Sequence, residues 1–393
     1  MPFHFNFRSG WLLVFFFQGL VYAFLFARRY WRNKEASDGW MALFLLLAIL
    51  FICPWMLGHA GWYNGQTCIE CRNFMFYMPF QHSLWIGPVI YFYLQSLLDP
   101  GFRFQRKMYY HFLPGALYLL WNVVVAITDR LVLGRYFLMD GENDPDFQHW
   151  YILLGLVSKV VYLVLSLRYY ARYRAFIVQE LSFADTLQFK WVRNFLLAYL
   201  VYFFSSLLMG SLVLVNIDIE YATAWWYYLL FGVLFYYIAV TGYAHSIERR
   251  KSFSVDFSRV EEPVPAPTLP AENNEPLTEQ ALPAIWKEKL LAAMESEKAY
   301  RDPDLTLTDL AKKLGTNASL LSKVINRNFQ VNFNDFVNRY RVEEVKQQLE
   351  KGAAAQVTVM GLAYDAGFNS KATFNRAFKK HTGQNPSEVQ TMV

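Results

Sequence analysis

Apolar residues fall in long runs over the first 246 positions and in stripes over the rest. Seven runs hold about 20 residues each and little charge: about 10–30, 39–58, 82–98, 111–129, 150–168, 193–215 and 224–245. A helix rising about 1.5 Å per residue needs roughly 20 residues to cross the ~30 Å hydrocarbon core of a bilayer. Each run therefore predicts a membrane-spanning helix. The third is short, Pro88 interrupts it, and its start could lie back near Phe74. Arg28, Arg29 and Trp31 follow the first run where a signal peptide would have a small-residue cleavage site, so the run reads as a retained helix.

Loop charge gives these runs a topology. The first loop carries Arg28, Arg29, Arg32 and Lys34, and the third carries Arg103, Arg106 and Lys107. The fifth carries Arg168, Arg172, Arg174, Lys190 and Arg193, and Arg249, Arg250 and Lys251 follow the seventh run. The second loop has only Arg72. The fourth sets Asp140, Glu142, Asp144 and Asp146 against Arg130 and Arg135, and the sixth has Asp218 and Glu220 with no Lys or Arg. Cytoplasmic loops collect Lys and Arg. The odd loops and the C-terminus are therefore expected in the cytoplasm, and the N-terminus outside. The chain becomes a multi-pass membrane protein with an odd number of spans. Trp150, Tyr151, Trp225 and Trp226 sit near run ends, where aromatic side chains favour the membrane interface.

From Ser252 to Pro283 the pattern breaks. Pro263, Pro265, Pro267, Pro270, Pro276 and Pro283 alternate with Glu, Asn and Ala, a composition that buries no core. Three parts follow: a membrane domain over 1–250, a Pro/Glu-rich linker over 251–283 and a soluble domain over 284–393. Thirty or so flexible residues span only about 30 Å root-mean-square, so the soluble domain works close to the membrane. Helical stripes resume with Trp286, Leu290, Leu291 and Met294. Then a near-repeat appears. Leu310, Ala311, Gly315 and Asn317 match Leu362, Ala363, Gly367 and Asn369. Each copy reads as a helix, a glycine turn, an Asn or Ser cap and a second helix, over about 305–328 and 357–380. That is the helix-turn-helix pattern, here in two copies joined by one helix.

The segment from about 284 to 390 resembles the DNA-binding domain of the AraC family of bacterial regulators. The resemblance rests on Leu305-Thr-Leu-Thr-Asp-Leu-Ala, Leu321-Ser-Lys-Val-Ile-Asn, Phe333 to Arg341 opening the joining helix, and Ala363-Tyr-Asp-Ala-Gly-Phe-Asn-Ser. Thr373-Phe-Asn-Arg-Ala-Phe-Lys-Lys and the ending Thr382-Gly-Gln-Asn-Pro-Ser-Glu are its most diagnostic parts. Ala372 departs from it, as does the Ser- and Asn-rich first recognition helix. The fold class expected is all-α: a polytopic transmembrane bundle of about seven spans, then a soluble AraC-type double helix-turn-helix domain. The membrane half is similar to the seven-helix sensor modules that bacteria fuse to output domains.

Helical spacing sorts the recognition segments, about 317–328 and 370–380, into faces. Ser319, Ser322, Lys323 and Asn326 share one face, with Leu321, Val324 and Ile325 opposite. Ser370 opens the second segment, and Lys371, Asn375 and Lys379 form its polar stripe with Ala372 and Arg376 beside it. Phe374, Ala377 and Phe378 point inward. Arg and Lys can read guanine, and Asn can pair with adenine. Arg327 and Lys380 lie further round and suit phosphates. Thr306, Thr308 and Thr358 suit helix caps. The joining helix, about Phe333–Glu350, is long enough to set two recognition helices in adjacent major grooves, about 34 Å apart. Double-stranded promoter DNA, RNA polymerase, membrane lipid, a second copy of the chain and a small-molecule or protein signal are the partners this implies.

Composition narrows the rest. Charged residues make up 18% of the chain, against about 25% in soluble proteins. The net charge of +5 decides nothing, since membrane proteins also gather Lys and Arg on one side. A transporter or enzyme with a regulatory tail is the competing class. It predicts intramembrane carboxylates, a broken-helix pair or a metal cluster. His59, His82 and His111 are scattered, and no HExxH, phosphate loop, kinase signature or nucleophile elbow occurs. Neither catalytic residue, metal nor cofactor is expected. A regulator released by proteolysis in the linker is the third reading. Cys68-Ile-Glu-Cys71 in an outer loop reads as a structural disulfide, with a redox pair or half a zinc site as alternatives. Cys53 reads as an inert apolar residue.

Lys159 falls mid-span in the fifth run. A charge there costs at least about 2.5–3.5 kcal/mol on insertion scales, so it is expected to have partners. Gln18, Asn122, Ser205 and Ser206 are the polar groups at hand. Either Lys159 snorkels or is held by them, or Lys159, Gln18 and Asn122 line a pocket for an anionic or carbonyl-bearing ligand. Binding there would move the last two spans and the linker. The topology has a direct check. Reporter fusions after Lys34, Lys190 and Ser252 should be active only in the cytoplasm, and one after Asp144 only in the periplasm. A fusion after Ser252 that reports from the periplasm would remove the DNA-binding half from its substrate.

Overall fold

The computed structural model describes residues 4–63, 68–99, 101–139, 144–184, 190–215, 217, 221–244, 278–352, 357–386 and 388. The linker from 251 to 277 and the charged residues Asp140, Glu142, Asp218, Glu220, Arg249, Arg250 and Lys251 lie outside them. Two compact units separate. One comprises Met1–Tyr170 and Phe189–Ser254, the other Ala171–Gln188 and Val255–Val393.

The first unit contains α1 (Phe7–Asn33), α2 (Ala36–His59), α3 (Ile69–Tyr77), α4 (Ser83–Leu98), α5 (Leu113–Ala126), the first part of α6 (His149–Glu180), α7 (Lys190–Leu214) and α8 (Tyr221–Ala244). A 3-10 turn before α5 and a π turn after it extend that segment to Arg106–Val132. Among the described residues, six helices are long and apolar enough to cross a membrane. Seven spans were expected. The third, Ser83–Leu98, has 16 residues, so it reaches only about 24 Å. It does not extend back to Phe74, because Met78 ends α3 in extended backbone and residues 78–82 turn the chain.

The helices divide as lipid-facing helices should. α1 buries Leu12, Phe15, Ala23 and Phe26 at spacings of three to eight, and exposes Val14, Phe17, Val21 and Phe24. Apolar side chains on both faces favour a surround that is not water. α2 is the most enclosed, with Met41, Leu45 and Ile52 fully buried. Arg29 grips Asp38 through two hydrogen bonds, of 2.7 Å and 2.5 Å, and donates a third to the Tyr243 carbonyl at 3.2 Å. That joins the neighbouring ends of α1, α2 and α8.

Two buried aspartates organise the opposite end. Asp129 accepts from the Leu138 and Met139 amides at 2.8 Å and 3.0 Å. Asp146 accepts from the Phe80 and Gln81 amides at 2.7 Å and 2.9 Å, and from the Tyr118 hydroxyl. Burial pushes the Asp146 carboxyl up, against those hydrogen bonds. Burial and the neighbouring Asp146 charge push Asp144 up. Cys68 and Cys71 are joined by a disulfide at the start of α3, and Cys53 is a half-buried free thiol in α2.

The second unit holds α9 (Thr278–Glu295), α10 (Leu307–Leu314), α11 (Ala318–Phe329), α12 (Phe333–Glu350), α13 (Val359–Asp365) and α14 (Lys371–Thr382). Two cores flank α12. Leu310, Leu321, Val324, Ile325, Phe333 and Phe336 fill one. Val342, Val345, Leu362, Phe368, Phe374 and Phe378 fill the other. Burying each of these side chains contributes about 1.5–3 kcal/mol. Beside the first core, burial pushes Glu344 up, but Arg301, Tyr300 and Lys298 outweigh it and hold the carboxyl down at about 2.

The two glycine turns differ in what surrounds them. Gly315 has φ +76° and open space where a Cβ would stand. Gly367 has φ +97°, and its Cβ would lie 2.5 Å from the Tyr300 carbonyl oxygen. A left-handed backbone costs a non-glycine residue about 1–2 kcal/mol. Gly315→Ala should lower stability by about that amount. Gly367→Ala should lower it by clearly more, because backbone has to move as well. Thermal unfolding of the two variants followed by circular dichroism decides it, and equal losses would contradict the packing described.

Candidate nucleic-acid interface and bundle cavity

Each helix-turn-helix is built by short-range capping. Thr306 caps α10 by accepting from the Asp309 amide at 3.0 Å. Asn317 caps α11 by accepting from the Leu320 amide at 2.8 Å. Thr358 caps α13 by accepting from the Gly361 amide at 3.1 Å, and Ser370 caps α14 by accepting from the Thr373 amide at 3.2 Å. Such caps satisfy helix-end amides that have no partner within the helix. Thr308 is not a cap. It lies inside the first turn of α10, where its hydroxyl and amide donate to Glu180.

The expected recognition faces point outward. Ser319, Lys323 and Arg327 are exposed on α11, with Ser322 and Asn326 half-buried among them. Leu321, Val324 and Ile325 are buried behind. On α14, Lys371, Ala372, Asn375, Arg376, Lys379 and Lys380 are exposed, and Phe374, Ala377 and Phe378 are buried. Ser370 is half-buried at the cap. Lys380 forms an ion pair with Asp335 of α12 at 2.7 Å, which ties the second recognition helix to the joining helix. The 18 residues of α12 extend about 27 Å.

Sequence reasoning placed Arg341 at the end of a family-like stretch and missed its role. It is 1% exposed and donates from Nε to the Tyr300 carbonyl and from Nη2 to the Asp302 carbonyl, both at 2.7 Å. Its signal was present. Val337, Arg341 and Val345 recur every four residues, which puts a guanidinium on the apolar face of α12.

In the first unit, Lys159 is 5% exposed. Its Nζ donates to the Ser206 hydroxyl at 2.6 Å and lies 5.3 Å from the centre of the Tyr202 ring. It lines a cavity of about 410 Å³ together with Ser206, Gln81, Tyr227, Tyr228 and Asp146. Buried Gln81 leaves its Nε2 without a hydrogen-bond partner there. A second cavity of about 1050 Å³, lined by Trp55, Tyr63, Phe76, His149 and Tyr221, shares Trp55, Phe147 and His149 with the first. Gln18 and Asn122 line neither. Gln18 has both amide atoms buried without a partner, and Asn122 donates to the Tyr118 carbonyl at 2.9 Å. Ser205 donates to the Tyr202 carbonyl at 2.8 Å. Among the described residues, no three His, Cys, Asp or Glu side chains come together as metal ligands would.

Residues 310–392 match a family model described as a helix-turn-helix domain. An uncharacterised HTH-type transcriptional regulator of Staphylococcus aureus strain COL is 35% identical over 87 residues. That is 22% of this chain, which spans 11% of the relative's length. The Msm operon regulatory protein of Streptococcus mutans is 25% identical over 89 residues, 23% of this chain and 31% of that protein. No solved structure matches the chain.

The interface yields a mutational test. Arg376→Ala should cost about 1–3 kcal/mol on a specific site and relax preference at one base position. Lys380→Ala should weaken all sequences alike, through loss of a phosphate contact and of the Asp335 ion pair that holds α14 to α12. Fluorescence anisotropy on a specific duplex and a shuffled one separates the two. Equal losses on both duplexes for Arg376→Ala would remove it from the base-reading face.

Proposed function

We propose that this chain, whose C-terminal domain is an AraC-type helix-turn-helix domain, is a membrane-anchored transcription regulator that binds promoter DNA sequence-specifically. The observation that carries the reading is two capped helix-turn-helix units on one connecting helix, in a chain with six candidate spans ahead of them. The match to helix-turn-helix regulators supports it over a transporter or an enzyme. Lipid surrounds the spans, the N-terminus is periplasmic, and the C-terminal domain meets DNA and RNA polymerase in the cytoplasm. A second copy of the chain would double the footprint on DNA.

In this reading the signal is a small molecule bound in the cavity at Lys159. A buried ammonium facing a hydroxyl and an unused amide donor suits a carboxylate or carbonyl group, and the aromatic outer cavity suits an apolar body. Cavities of roughly 300–1,000 Å³ hold such ligands. Chromosome-wide mapping of the full chain should find discrete sites that share a sequence. Lys159→Met should leave insertion and occupancy of those sites unchanged, while transcription from them no longer varies between growth conditions. Binding without sequence preference would overturn the regulator. A Lys159→Met protein that responds as the wild type does would overturn the sensing cavity.

A further inference from the structure

The last ten residues of α6 and the turn after it belong to the unit that contains the helix-turn-helix domain. Residues 180–184 are buried, with Leu181 and Ser182 fully so. Leu181 pairs with Thr306 in an antiparallel bridge, and the Ser182 amide donates to the Leu305 carbonyl at 3.2 Å. Asn334 donates to the Leu181 and Ser182 carbonyls at 3.1 Å and 3.0 Å. Arg341 donates to the Ser182 hydroxyl at 3.1 Å and to its carbonyl at 3.4 Å. Glu180 accepts from the Thr308 amide at 3.1 Å and from the Thr308 hydroxyl. These bonds join positions 123 to 159 residues apart in the chain.

Where Glu180 sits gives the contact a meaning. The first helix of a helix-turn-helix crosses the DNA backbone. Helix N-termini hold phosphates through free amides and the helix dipole. On α10 that end already holds an anion, the Glu180 carboxylate. We propose that residues 180–184 form an autoinhibitory clasp, in which Glu180 and a backbone phosphate are alternative occupants of the N-terminus of α10. The clasp keeps the first helix-turn-helix off DNA, and DNA binding requires its release.

The proposal rests on the reading of the domain as a DNA binder, and its test keeps the two apart. Residues facing each other across an antiparallel pair have Cα atoms about 4.5–5.5 Å apart, within reach of a disulfide. The full chain carrying Leu181→Cys and Thr306→Cys is placed in lipid nanodiscs. Its affinity for a promoter duplex is measured oxidised and after reduction, with the wild-type chain under both conditions as control. The oxidised variant should bind at least about tenfold more weakly than its reduced form, and the wild type should be indifferent. Glu180→Gln should bind several-fold more tightly than wild type, on specific and shuffled duplexes alike. An oxidised variant that binds as well as its reduced form, or Glu180→Gln that binds no tighter, overturns the clasp and leaves the regulator standing. If no form of the chain binds any duplex, the regulator and the clasp fall together.

Discussion

A guanidinium buried away from water loses its hydration, and every donor left unpaired adds to that loss. Arg341 meets this constraint with oxygens alone. Its fork reaches the Tyr300 and Asp302 carbonyls, the Asn338 side chain at 3.3 Å, and Ser182. Because these groups must stay in place, the short segment between α9 and α10 is fixed. Gly367 packs against the Tyr300 and Arg301 carbonyls of the same segment, so the turn of the second helix-turn-helix is set by it too. Phe368 then lies 5.8 Å below the guanidinium, from its ring centre. One side chain thus fixes the first helix-turn-helix, the second helix-turn-helix and residue 182 against α12. Removing a partner of such a group leaves a charge unsatisfied, at about 1–3 kcal/mol or more.

The helical bundle solves the same problem with less. Arg29 has Asp38 as a partner at its end of the bundle, where the arginine is partly reachable by water and the aspartate is buried. Lys159 has a hydroxyl and an aromatic face, and among the described residues no carboxylate lies within salt-bridge distance of it. The bundle's buried acids are used otherwise. Asp129 and Asp146 accept backbone amides and hold the turns between helices. An ammonium held by weak neutral partners is a poor way to stabilise a fold and a good way to hold an anion in reserve. That contrast is what separates Lys159 from the structural charges around it.

Local pattern carried most of the architecture. Period 3.6 and run length found the helices, and glycine and cap residues placed both helix-turn-helix units. The expectations that differ from the structure involve contacts the local pattern does not contain. Thr308 has the composition of a cap, but the cap is Thr306, and the Thr308 hydroxyl goes to a residue 128 positions away. Glu180 fell in a loop read for its Lys and Arg content alone, which left its partner on α10 unseen. Gln18 and Asn122 were grouped with Lys159 by depth. Depth does not fix the face of a helix, and the cavity takes Gln81 and Asp146 from a turn and a loop instead. The third span was counted by apolar content, whereas Pro79 and the turn at 78–82 limit how far back α4 can reach.

The two recognition faces are chemically unequal, and this bears on what a clasp on the first unit can control. α11 offers Ser319, Ser322, Lys323 and Asn326, so half of its face is short hydroxyls. A serine accepts from or donates to any base and discriminates little. α14 offers Lys371, Asn375, Arg376 and Lys379, and these longer side chains can reach and pair with base edges bidentately. In a DNA-binding reading, the first unit adds affinity and register while the second supplies most of the discrimination. Glu180 sits on the first unit. Holding that unit back would weaken binding across all sequences without changing which sequence is preferred. Regulation and recognition would then lie in different helix-turn-helix copies, and each could change without disturbing the other.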